Sequence, residues 1–383
     1  MKIAQVAPLH ESVPPRTYGG TERVVHYLTE ALVQQGHEVI LYASADSVTS
    51  ARLRPVVPEA LRLGKMQRDP LAWHMLELAQ VAREADEYDI IHFHTDFMHF
   101  PLWRHLAAPQ VTTLHGRLDL PDLVPLYREF RDMPVISISD HQRMPLPIAH
   151  WAGTVYNGVP SDLYDFRPES GDYLAFLGRM SPEKGPEQAI EIALKAGMPL
   201  KMAAKVDSVD RDYFQNRIEP LIRRHPSIEF IGEVDEAGKN RLLGGAAALL
   251  FPIAWPEPFG LVMIEAMACG TPVIAFNRGS VPEVMQPGIS GFIVESVDEA
   301  VTAVEGIDSI DRVGCRAYFE GRFSAERMAE NYVRCYRQRL DRHPVTARRP
   351  GESVDPVSRQ PSALESFDAA RAADNEVEFR TSA

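Results

Sequence analysis

Lys2-Ile3-Ala4-Gln5-Val6-Ala7, then a loop ending Pro14-Pro15-Arg16-Thr17-Tyr18-Gly19-Gly20, then residues 21–36 ahead of Glu38-Val39-Ile40-Leu41-Tyr42, form the stretch that decides the fold. Its first and last segments are apolar runs of strand length. Between them Val24, Val25, Leu28, Ala31 and Leu32 recur at helical spacing, with Thr21 placed to cap the helix and Gly36 to stop it. Strand, helix and strand in this order make a βαβ unit, which commits the sheet to parallel pairing.

Outward from this unit the alternation continues, with buried-strand runs at 90–93, 111–114 and 135–138. Turn residues break the pattern between 157 and 171, and a second series opens on Tyr173-Leu174-Ala175-Phe176-Leu177-Gly178 and continues at 200–203, 228–231, 247–251, 272–276 and 291–294. The predicted class is α/β, with two doubly wound, Rossmann-like parallel-sheet domains over 1–160 and 161–323. A helix over 324–340, with Met328, Tyr332, Val333 and Tyr336 on one stripe, is expected to return to the first domain and complete it. Residues 341–383, rich in Arg, Pro, Ser and acidic groups, cannot bury enough apolar surface to offset their ordering entropy and read as a disordered tail. A ligand is expected at the carboxyl ends of the strands, in a cleft that the two domains face.

Composition narrows the function. The 383 residues exceed what one core holds, and a net charge of −13 gives no broad field for nucleic acid or anionic lipid. No apolar run approaches the ~20 residues of a membrane span, and residues 1–8 leave no room for a signal peptide, so a cytoplasmic location is expected. Cys269, Cys315 and Cys335 fall in no ligand or disulfide pattern. Any phosphate must therefore be held by a local site.

Three clusters can build one. In the first, Trp255-Pro256-Glu257-Pro258-Phe259-Gly260-Leu261-Val262-Met263-Ile264-Glu265, a strand gives way to a proline-rich turn and a helix opens near Phe259. Free N–H groups at the helix start, with Gly260 offering no side chain to block them, make a phosphate seat. Glu257 and Glu265 can accept from vicinal hydroxyls. The plain alternatives are a helix-start charge and a solvated helix residue, but the apolar surroundings of Glu265 imply a buried carboxylate that needs a partner. The second cluster, Gly178-Arg179-Met180-Ser181-Pro182-Glu183-Lys184-Gly185, offers a guanidinium fork and an ammonium to a diphosphate, or is an ordinary solvated turn. The third, Thr113-Leu114-His115-Gly116, places an imidazole at a strand end near the Gly19-Gly20 loop, where it can bond a substrate hydroxyl or serve the structure alone.

Taken together, the Gly-Gly loop, the strand-end His, the Gly-Arg-x4-Lys-Gly segment and the Glu-x7-Glu pair resemble the retaining GT-B glycosyltransferases of family 4, over roughly residues 2–340. The resemblance implies a hexosyltransferase with no cofactor and no metal, using a nucleotide-diphosphate sugar as donor, UDP-hexose ahead of GDP-mannose, and a glycan, lipid-linked or small-alcohol acceptor. Carried over by motif, Arg179 and Lys184 would hold the diphosphate, assisted by backbone N–H groups near Gly260, Leu261 and Gly19-Gly20. Glu265 would hold the ribose, Glu257 the transferred sugar and His115 its reacting end. Pro258, Pro160 and Arg278 depart from the family pattern and bear on the donor sugar more than on the reaction class.

Other readings compete. His92-Phe93-His94 with Asp96 and His99 invites a metal site, yet no spacing fixes a third ligand. Asp210-Arg211-Asp212 is a formal Asp-x-Asp, read as a solvated face away from the strand ends. Arg52, Arg54, Arg62, Lys65 and Arg68 read as a solvated helix and Trp73, Trp103 and Trp151 as core, leaving weak peripheral contact with a membrane-borne acceptor open. An epimerase or phosphorylase on the same fold, and a silent sugar-nucleotide-binding subunit, are the alternative functions.

Overall fold

The computed structural model describes residues 1–16, 19–62 and 69–342. The expected tail, from 343 on, and Thr17, Tyr18, Lys65 and Arg68 lie outside the described residues. The first sheet has seven strands, β1 (Lys2–Val6), β2 (Glu38–Ser44), β3 (Arg52–Val57), β4 (Ile90–Phe93), β5 (Gln110–Thr113), β6 (Pro134–Ser137) and β7 (His150–Thr154), in the order β3-β2-β1-β4-β5-β6-β7. The second has six, β8 (Leu174–Arg179), β9 (Leu200–Lys205), β10 (Ile228–Gly232), β11 (Ala248–Phe251), β12 (Val273–Phe276) and β13 (Gly291–Val294), in the order β10-β9-β8-β11-β12-β13. Pairing is parallel from β1 through β6 and throughout the second sheet. In each sheet the chain builds outward from a central strand, returns, and builds the other side. That reversal opens a crevice at the carboxyl ends of β1 and β4, and again at those of β8 and β11.

The chain divides into two compact units, one of residues 1–114 with 130–136 and the helix from Tyr332, the other of 115–129 with 137–331. In the second, Leu174, Phe176, Met202, Leu250 and Ile274 from four strands are at most 3% exposed and form its core. This is the continuous apolar strand interior of a sheet covered on both faces.

Two expectations about the first sheet are corrected. Arg52 and Arg54 lie on β3, an edge strand, rather than on a solvated helix. The strand was masked by Pro55, which only an edge tolerates, because its missing N–H is needed by no neighbour. The helix Gly20–Gln34 is not capped by Thr21: its cap falls two residues earlier, at Gly19, with no side-chain hydrogen bond. Burial raises the first-turn carboxyl of Glu22 above its ordinary range.

The helix Ala325–Arg342 buries Met328, Tyr332, Val333 and Tyr336, the stripe expected of it. The two tyrosines complete a buried polar network. His92 bonds the Tyr336 hydroxyl through Nδ1 and the Thr113 hydroxyl through Nε2, both at 2.7 Å, and Thr113 donates to Tyr332 at 3.0 Å. Gln5 donates to Tyr336 at 3.2 Å and its carbonyl oxygen meets His94 Nε2 at 2.8 Å. His92 and His94 are thus engaged with protein partners, and no three metal-ligating side chains converge among the described residues.

One buried carboxyl has no such partner. Glu77, on the helix Pro70–Glu84, is fully buried and neither oxygen has a hydrogen bond. Burial pushes its carboxyl well above the ordinary 4.5, so it folds protonated. A raised folded value means stability is lost as pH rises from the unfolded value toward the folded one. Glu77→Leu is therefore expected to stabilise the protein by about 1–3 kcal/mol at neutral pH and by less below pH 4.5. Denaturant unfolding at the two pH values checks this, and a loss of stability at both would contradict it.

Candidate functional site

In the second sheet β8 ends at Arg179, and a 3₁₀ turn, Pro182–Lys184, leads into the helix Pro186–Ala196. Gly185 joins turn and helix in the left-handed region, φ 73°. A Cβ there would stand 2.0 Å from the Pro252 carbonyl oxygen, so this turn is pressed directly on the loop after β11. The Ala254 N–H donates to the Glu183 carbonyl at 2.9 Å and pins the two loops together. β8 and β11 are the neighbours that flank the crevice of this sheet.

The loop after β11 runs to the helix Leu261–Ala268, with Gly260 as left-handed N-cap at φ 78°. No side chain caps this helix, which leaves its first N–H groups with their partial positive charge for an anion. A Cβ on Gly260 would meet the Phe251 ring and the Met263 methyl at 2.9 Å. Glu257, just ahead, accepts from Lys184 and from Trp255 Nε1 at 2.9 Å, and the ammonium stands 5.0 Å over the Trp255 ring. Behind it Gly279 backs the turn, since a Cβ there would lie 2.4 Å from the Glu257 nitrogen and oxygen. Ser280 adds an N–H to the Glu257 carbonyl at 3.0 Å and a hydroxyl to that of Phe259 at 2.9 Å. Arg278, one of the departures from the family pattern, donates to Glu295 at 3.1 Å.

Arg179 meets two carboxylates. Its Nη2 donates to Glu183, and its Nε lies 3.1 Å from Oδ2 of Asp210. This corrects the solvated reading of Asp210: the residue is buried, on a 3₁₀ turn, Ser208–Asp210, just beyond β9. Desolvation raises its carboxyl above the ordinary range, against the opposing pull of Arg179.

Glu265 is 4% exposed and its Oε1 accepts from Lys239 Nζ at 2.7 Å, which supplies the partner that its apolar surroundings demanded. Lys239, on the helix Glu236–Gly244, also reaches Glu236 at 2.8 Å. Sequence reading missed Lys239, because the demand for a cation does not say which lysine meets it.

The structure thus brings Arg179, Lys184 and Glu257 together in one unit with Gly260 and Leu261 at the helix start, and Glu265 further along that helix. Gly19, on the loop after β1, caps the helix that Gly20 opens, and His115 lies on the loop after β5. At Gly19 a Cβ would meet the Pro15 ring at 2.7 Å, ahead of Oε2 of Glu22 at 3.2 Å, so this turn leaves no room for a side chain. His115 follows β5 half-buried, and burial pushes its imidazole down to about 4. It is neutral at physiological pH, with one nitrogen to donate and one to accept. Trp73 and Trp103 are core, while Trp151 is half-buried and donates to the Leu146 carbonyl at 3.0 Å.

A model of the glycosyl transferases group 1 matches residues 165–311, and one of glycosyltransferase family 4 matches residues 18–144. The chain is a family 4 glycosyltransferase. Among its relatives, the phosphatidyl-myo-inositol mannosyltransferase of Mycolicibacterium smegmatis is 28% identical over 347 residues, covering 82% of this chain and 86% of its own. Glycogen synthase of Mycobacterium tuberculosis is 27% identical over 331 residues, 73% and 79% of the two chains. AviGT4, a glycosyltransferase involved in Avilamycin A biosynthesis, matches this glycosyltransferase with a TM-score of 0.70 at 27% identity, over 89% and 98% of the chains. Sucrose-phosphate synthase of Thermosynechococcus elongatus reaches 0.72 at 20% identity, a likeness of fold that covers 89% of this chain and 100% of that one. The family 4 glycosyltransferase has the GT-B fold. None of its described helices is long and apolar enough to cross a membrane.

Proposed function

We propose that this glycosyltransferase moves a hexose from a nucleotide-diphosphate sugar, a UDP-hexose ahead of GDP-mannose, to a hydroxyl of a glycan, lipid-linked or small-alcohol acceptor, with retention and without metal or other cofactor. One observation carries the reading. Arg179 and Lys184 flank the crevice between β8 and β11, beside an uncapped helix start, and each is held by a carboxylate. Two cations and free N–H groups can neutralise a diphosphate leaving group without an added ion. In this reading Glu265 takes the ribose hydroxyls, Glu257 those of the hexose, and neutral His115 bonds the hexose near its reacting carbon. The Gly19-Gly20 loop meets the donor from its backbone. The bond from sugar carbon to phosphate oxygen breaks as the acceptor oxygen bonds the same face of that carbon, and the departing phosphate takes the acceptor's proton. The protein supplies orientation and charge stabilisation rather than a strong base.

Thermal unfolding against UDP, GDP, ADP and their glucose, mannose and N-acetylglucosamine conjugates tests this. A ligand at about 100 times its Kd stabilises the fold by roughly 2.7 kcal/mol. One base is expected to raise Tm, and Glu265→Ala, measured against its own unliganded baseline, is expected to lose that rise. No rise with any nucleotide would sink the reading, and a rise kept in Glu265→Ala would remove the ribose assignment.

A further inference from the structure

The carboxylates on Arg179 differ in kind. Glu183 follows in the same turn with its side chain 36% exposed, whereas Asp210 comes from the neighbouring strand's loop with its side chain 10% exposed. The register Arg179↔Lys205 sets the ends of β8 and β9 side by side, which brings the Asp210 loop against the guanidinium. Lys205 is turned to Asp207 at 2.7 Å, and among the described residues Arg179 is the cation at ion-pair distance from Asp210. Although it heads a helical turn, Asp210 caps no backbone N–H, and its Oδ2 and Arg179 Nε are buried without an aligned hydrogen bond. A buried carboxylate with no capping duty is costly to the fold. Its placement makes sense if it serves the arginine.

We propose that Asp210 is a positioning residue of the donor site: it grips the Arg179 guanidinium on its Nε side and turns the terminal nitrogens toward the donor's diphosphate, while Glu183 keeps the place of a phosphate and yields it when the donor binds. A guanidinium fork receives carboxylate and phosphate oxygens in the same geometry, so an incoming phosphate displaces the exposed carboxylate and leaves the buried one. This rests on the nucleotide-sugar reading above.

The test is calorimetric titration of UDP, GDP and ADP into the full chain and its variants. With the diphosphate that the wild type binds, Asp210→Asn is expected to weaken affinity about tenfold, and to add no loss in an Arg179→Ala background. Glu183→Gln, an exposed change, is expected to bind the same diphosphate more tightly. Unchanged or tighter binding by Asp210→Asn overturns the proposal, because the carboxylate would then be inert or merely repel the ligand. An equal loss in the Arg179→Ala background overturns it too, since Asp210 would then act on the fold and not through the arginine. Should Asp210→Asn fail to fold, Glu183→Gln still decides, and unchanged or weaker binding by it counts against the proposal. If the wild type binds no nucleoside diphosphate, the nucleotide-sugar reading falls and the inference with it. Wild-type binding with unaltered variants refutes the inference alone.

Discussion

Replacing Glu265 by alanine is expected to cost about 3–5 kcal/mol of stability as well as nucleotide affinity, because removing one member of a buried ion pair strands the other. The stranded group is Lys239, only 10% exposed at its side chain and left with Glu236 as its carboxylate. That remaining pair sets the expectation at the low end of the range. Replacing both residues, Glu265→Leu with Lys239→Met, is expected to recover most of the stability, since a well-packed apolar pair is no worse than a buried salt bridge. Nucleotide affinity should stay lost. Denaturant unfolding of the single and double variants, each with and without nucleotide, separates the two roles. A double variant as unstable as the single one would mean that Glu265 supports the fold by something other than its pairing.

A second large effect is expected at Gly185. Alanine there must hold a left-handed backbone, φ 73°, and place its Cβ 2.0 Å from the Pro252 carbonyl oxygen. The conformational part alone is about 1–2 kcal/mol, and the overlap has no flexible side chain to absorb it. The two loops must part. Lys184, the adjoining residue, then leaves Glu257, so the cation proposed for the diphosphate and the carboxylate proposed for the hexose both lose their place. Gly185→Ala is expected to lower Tm by several degrees and to abolish transfer, whereas Gly197→Ala, with a similar φ of 68° but open space, should lose stability alone. Transfer by Gly185→Ala at the wild-type rate would show that the loops tolerate separation.

Much of this was legible in the residues. Strands such as Ile90–Phe93 and Val273–Phe276 announced themselves because parallel strands are buried on both faces and read as apolar runs. The edges did not. β3 carries Pro55 and two arginines, and β7, His150–Thr154, is half-buried along its whole length, so neither needs an apolar run. Arg179, Lys184 and Glu257 could be singled out as candidates because they fall at strand ends or in the loops that follow them in the chain itself. Asp210 and Lys239 were not placed, since their ion pairs with Arg179 and Glu265 depend on which elements the fold brings together, and spacing along one chain does not encode that. Gly279 was visible as a glycine, but its close approach to Glu257 belongs to the third dimension alone.

The tyrosines of the final helix bear on the order of synthesis. Tyr336 closes on His92 across 244 positions and Tyr332 on Thr113 across 219. A nascent chain emerging amino end first therefore makes β1, β4 and β5 long before the hydroxyls that satisfy His92, Thr113 and Gln5 exist. Until then those groups must stay hydrated, for a buried polar group without a partner costs about 1–3 kcal/mol. The first-made sheet thus reaches its final packing only after Tyr336 has left the ribosome, and the second sheet, complete by Val294, can close before it.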